Sequence, residues 1–171
     1  MGKDEKTLAS RLSQPDRIRA FVGAASNRFE EAGLLAQHGH RLAAIYFYGY
    51  SVEILMKAAC FRLDGRGITE EIDEAYRKSV AAKADTVHGI RINGPHDIVG
   101  WARLMVQLRT LQKPDSDPAF LRQFVTKAMA VARNWVPDMR YRSTVVTERE
   151  LGQVREVATW IRANYEKVVQ K

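Results

Sequence analysis

The chain has 171 residues, 46% of them hydrophobic and 27% charged, with a net charge of +7; that balance suits one globular domain with a real core and excludes a disordered chain. Its longest uncharged apolar run, Leu42 to Val52, is closed by Glu53 and is too short to cross a bilayer as a helix, while the N-terminal "MGKDEKTLAS" has acids and no apolar centre, unlike a secretory signal. One cysteine, Cys60, excludes an internal disulfide and any cysteine-rich zinc site, so the expectation is a cytoplasmic protein without a membrane partner.

Residues 1–14 are expected to form a flexible lead-in and residues 15–171 a single all-α domain, an up-and-down bundle of five to six helices. Pro15 and Asp16 open the first helix, in which Ile18, Phe21, Val22, Ala25, Phe29, Ala32 and Leu35 recur at helical steps; Gly39 stops it. The second helix, Arg41 to Leu63, is apolar on nearly every side, which predicts a central, buried helix, and "DGRG" at 64–67 ends it. A third helix, Thr69 to about Ala84, is poor in large apolar residues and belongs at the edge. "DTVHGIRING" reads as a loop, and Pro95 starts a fourth helix carrying Ile98, Trp101, Met105 and Leu108. Asp117 caps and Pro118 begins a fifth, whose stripe is Leu121, Phe124, Ala128, Val131 and Trp135. Thr147 and Glu150 form a capping box at the start of the last helix. Its seam of Leu151, Val154, Ala158, Ile161, Tyr165 and Val168 is a heptad pattern, and Val157, Trp160 and Val169 lie off that seam and call for a second copy of the chain, a homodimer.

Chemistry-bearing motifs are few. His38, His40, His88 and His96 make no metal-binding pattern, no glycine-rich phosphate loop precedes a helix, and no nucleophile sits in an elbow, so neither a metal nor a cofactor is expected. Glu53 and Lys57 stand four apart, acid first, in the middle of the apolar second helix. At least one of these charges must be partly buried, and a buried charge needs partners, so this structural polar pair calls for a third contact elsewhere in the fold. The basic excess is mostly arginine, 18 against 9 lysines, and the guanidinium fork suits phosphate and stacks on bases. In "NWVPDMRYR", residues 134–142, Trp135 and Pro137 end a helix. Arg140 and Arg142 flank Tyr141 ahead of the positive end of the last helix, an arrangement that collects anions and offers stacking to a base.

The segment "AAIYFYGYSVEILMKAACF" resembles the signature helix of HEPN domains, with small and aromatic residues, then a Glu, then Lys-Ala. "PHDIVGWARLM" is similar to that family's helix opening, and "RNWVPDMRYR" falls where the family places a polar motif before its last helix; the resemblance covers roughly residues 16 to 170. It implies a dimeric helical bundle that binds RNA or nucleotides and works beside a nucleotidyltransferase or a toxin–antitoxin partner. The ribonuclease branch carries Arg, four to six residues, then His at the last helix. Here no histidine follows Arg133, Arg140 or Arg142, and the Arg91–His96 match lies before the fourth helix at a spacing expected about once by chance. The leading reading is therefore an RNA- or nucleotide-binding homodimer using Arg140, Tyr141, Arg142 and His96, a binder rather than an enzyme. One alternative is a metal-independent endoribonuclease using His96 with Arg140 or Arg142; another is a purely structural interaction module.

Overall fold

The computed structural model describes residues 16–170; the expected lead-in of residues 1–14, and Pro15, lie outside them. The described residues are mostly helical, with six helices and one two-strand bridge, an all-α bundle. In chain order these are β1 (Asp16–Arg17), α1 (Ile18–Gln37), α2 (Arg41–Leu63), β2 (Glu71–Ile72), α3 (Glu74–Thr86), α4 (Ile98–Gln112), α5 (Pro118–Ala132), a 3-10 turn (Pro137–Tyr141) and α6 (Glu148–Val169).

The apolar character of α2 dictates the arrangement. With hydrophobic side chains all around, it must be covered on every side, and it packs against α1, α4 and α6, while α5 closes the bundle between α4 and α6. Gly39 adopts φ 79°, which turns the chain sharply enough for α1 and α2 to pack along each other. The Ser51 hydroxyl, buried at their interface, donates to the Ala25 carbonyl at 2.8 Å and so satisfies its own hydrogen-bonding need. The seam of α6 faces the core as its spacing predicts: Leu151, Val154, Ala158, Ile161, Tyr165 and Val168 are all buried. The capping box closes at both ends, Thr147 Oγ1 accepting from the Glu150 amide and Glu150 Oε2 accepting from the Thr147 amide.

The structure corrects several expectations. α3 begins at Glu74 rather than Thr69, because Glu71 and Ile72 pair antiparallel with Asp16 and Arg17 and Asp73 then caps the helix. α4 begins at Ile98 rather than Pro95, since the Asp97 side chain accepts from the Gly100 amide, while the Pro95 carbonyl accepts from the Trp101 indole. Trp135 does not extend α5, which stops at Ala132; the indole instead crosses onto α2. The off-seam positions of α6 also need no second copy. Val157 and Val169 are buried within the chain, and Trp160 packs on Phe120 and Phe124 under Lys127. No helix among the described residues is long and apolar enough to cross a membrane.

Candidate functional site

Tyr46, Tyr50, Glu53 and Lys57 follow steps of four, three and four along α2, so their side chains share one stripe of that helix. Two loops are laid over this stripe. One precedes α4 and brings His96; the other follows α5 and brings Trp135 and then Arg140.

Glu53 is the anchor, with its side chain only 3% exposed. Lys57 Nζ donates to Oε1 at 2.5 Å, and His96 Nδ1 lies 2.8 Å from Oε2. The third contact demanded by the polar pair is therefore His96, 43 residues away in sequence. Each carboxylate oxygen has its own partner, the condition under which a buried charge is tolerated. Lys57 also lies over the Trp101 ring, 5.9 Å from its centroid. In the tautomer with its proton on Nδ1, His96 donates a hydrogen bond to Glu53 and Nε2 keeps a free lone pair; the imidazole is 38% exposed and can offer that lone pair to a ligand.

Around His96 stand aromatic rings, edge to face. Tyr50 is 6.0 Å and Trp135 6.4 Å from the imidazole centroid, Tyr50 and Trp135 are 5.5 Å apart, and Tyr46 is 4.8 Å from Tyr50. Trp135 is pinned by its indole N–H, which donates to the Tyr46 carbonyl at 2.9 Å. Burial, and then the neighbouring Tyr46 and Glu53, push the Tyr50 phenol up to about 12. The Arg140 guanidinium stacks on Tyr141 at 4.7 Å, in a 3-10 turn that packs on α2, and is held above its ordinary value by Tyr141 and then Tyr46.

Of the residues singled out from sequence, Glu53, Lys57 and His96 thus form one hydrogen-bonded cluster, and Arg140 reaches its aromatic border. Tyr141, 73% exposed, projects outward. Arg142 is exposed at the start of the extended segment that leads to α6. At the N-terminus of α6, which the sequence offers to an anion, Glu150 closes the capping box with Thr147 and Glu148 pairs with Arg41 at 2.6 Å, so two of the chain's own carboxylates stand beside it. Tyr46 and Tyr50 escaped the sequence reading, although their spacing to Glu53 and Lys57 marks them; an interrupted polar stripe on an otherwise apolar helix was the available signal. Among the described residues no group of His, Cys, Asp and Glu is placed to hold a metal ion.

Comparison with family models, curated proteins and solved structures returns no match for this chain.

Proposed function

We propose that the chain is a HEPN-like, cytoplasmic RNA- or nucleotide-binding protein, acting as a homodimer beside a nucleotidyltransferase or toxin–antitoxin partner. The observation that carries this reading is the exposed Arg140–Tyr141 stack bordering the aromatic patch of Tyr46, Tyr50, Trp135 and His96. A guanidinium for phosphate next to rings for bases is the combination by which single-stranded nucleic acid is held. The resemblance of the α2 segment to the HEPN signature helix supplies the family, the dimer and the partner class. The apolar surface of α6 lends the dimer no support.

A second reading has its own observation. The buried Glu53 orients His96 through Nδ1, and an oriented imidazole with a free Nε2 is what a general base requires. Arg140 would then steady charge developing on a phosphate, giving a metal-independent ribonuclease.

Binding of a fluorescein-labelled single-stranded RNA, followed by anisotropy across a salt series, tests the first reading. Arg140→Ala with Arg142→Ala should weaken binding and lower the salt slope by about one to two units. Unchanged affinity in that variant defeats it. RNA cleavage in EDTA by the wild type, lost in His96→Ala while binding persists, selects the second reading. Light scattering that returns a monomer at micromolar concentration removes the dimer.

A further inference from the structure

The groups around His96 differ in what they can still offer a ligand. Glu53 is almost wholly buried, and its two oxygens are taken by Lys57 and His96. Lys57 is committed to that carboxylate, and the Trp135 N–H to the Tyr46 carbonyl. Arg140 is a donor only, since a guanidinium has no lone pair to give. His96 is the exception. Its Nδ1 is engaged with Glu53 at 2.8 Å, its ring is well exposed, and Nε2 makes no hydrogen bond among the described residues. With the Nδ1 proton directed at Glu53, the neutral ring keeps Nε2 as an acceptor whose direction that contact fixes.

Nucleic acid is held mostly by donors, because its phosphate and sugar-ring oxygens accept. The one donor in the sugar–phosphate backbone is the ribose 2′-hydroxyl, which DNA lacks. An oriented acceptor in such a site therefore has two natural counterparts, that hydroxyl or a base N–H. The neighbouring ring favours the sugar. Tyr50, half-buried, stands 6.0 Å from the imidazole, centre to centre, so a base resting against Tyr50 brings its own ribose to His96.

We infer that His96 distinguishes RNA from DNA, its Nε2 accepting a hydrogen bond from the 2′-hydroxyl of a ribose whose base rests on the neighbouring ring. This role rests on the RNA- or nucleotide-binding reading and adds to it the chemical feature that is read, the sugar rather than the base.

Fluorescein-labelled oligouridine, its 2′-deoxy counterpart and its 2′-fluoro counterpart, titrated with the full chain by anisotropy at one salt concentration, test the inference. All three carry the same base, so a contact to a base N–H treats them alike. The 2′-fluoro strand keeps a ribose-like pucker but cannot donate, which separates a hydrogen bond from a preference for backbone shape. The wild type should bind the ribose strand about two- to tenfold more tightly than either of the others, the range that one net hydrogen bond allows. His96→Phe, which retains a ring without the lone pair, should abolish that margin. Equal affinity of the wild type for all three strands overturns the inference and leaves the binding reading in place. So does a 2′-fluoro strand that binds as tightly as the ribose strand, or a margin that survives in a His96→Phe protein with unchanged circular dichroism. Failure of every strand to bind removes the reading and the inference together. Should His96→Phe fail to fold, the ranking of the three strands by the wild type decides the matter.

Discussion

Gly49 and Glu53 show how single positions set the site. The Trp135 indole crosses α2 directly over Gly49, and a Cβ there would stand 2.0 Å from Trp135 Cδ1. Gly49→Ala must therefore displace the indole and break its hydrogen bond to the Tyr46 carbonyl. The expected outcome is a loss of about 1–3 kcal/mol in urea unfolding, the usual cost of overpacking a core, together with red-shifted tryptophan emission. Glu53→Ala acts through charge rather than volume. It leaves Lys57, whose side chain is 15% exposed, without its counter-ion, and releases His96. A stability loss of about 3–5 kcal/mol should follow, because removing one member of a buried pair strands the other. A melting midpoint within error of wild type would mean that water already reaches this carboxylate.

At the scale of elements, the loops matter because they are tied down at helix ends. Asp97 serves the Gly100 amide as the cap of α4 and also accepts from the Asn93 amide at 2.9 Å, so the loop carrying His96 is fixed from both sides. The cap of α6 is more local, with Thr147 and Glu150 satisfying each other's amides away from the aromatic patch. Thr147→Ala should cost about 1 kcal/mol of stability. It should leave the environment of His96 intact, which the imidazole resonances in a long-range proton–nitrogen spectrum would report. A shift of those resonances comparable to that caused by Glu53→Ala would show that α6 and the cluster are more tightly coupled than their contacts suggest.

Across the whole molecule, buried and half-buried phenols make the fold sensitive to alkali. Burial is the first cause of the raised values of Tyr48, Tyr50, Tyr76 and Tyr165, with Tyr50 moving from 10.0 to about 12. An acid whose folded-state value is raised holds its proton more tightly folded than unfolded. Its contribution is complete below pH 10 and declines as the pH rises toward 12. The urea midpoint should therefore hold steady up to about pH 9 and fall between pH 10 and 11. Phenolate absorbance should show a fraction that ionises only as the protein unfolds. A midpoint that is level across that window would contradict the burial of these side chains.

The helices themselves are written in short-range pattern. The second helix runs from Arg41 to Leu63 as the apolar run and the glycines around it require, and the α6 seam and its capping box follow from spacing alone, because helix periodicity and capping involve residues within a turn or two of one another. The need for a buried charge at Glu53 or Lys57 was visible for the same reason. Which residue would answer it was not. His96 meets Glu53 only because α4 packs on α2 and its cap presents the loop at that height, a juxtaposition across 43 residues that no local period encodes. Trp135 likewise continued the arithmetic of the α5 stripe. The helix ends at Ala132, however, and the following turn carries the indole to the gap over Gly49, a vacancy that exists only once the elements are assembled. The off-seam residues of α6 taught the same lesson in reverse. From spacing alone Trp160 calls for a partner from outside, because its neighbours, Phe120 and Phe124, come from α5. Local spacing decides which surfaces must be covered, and the packing of the whole chain decides what covers them.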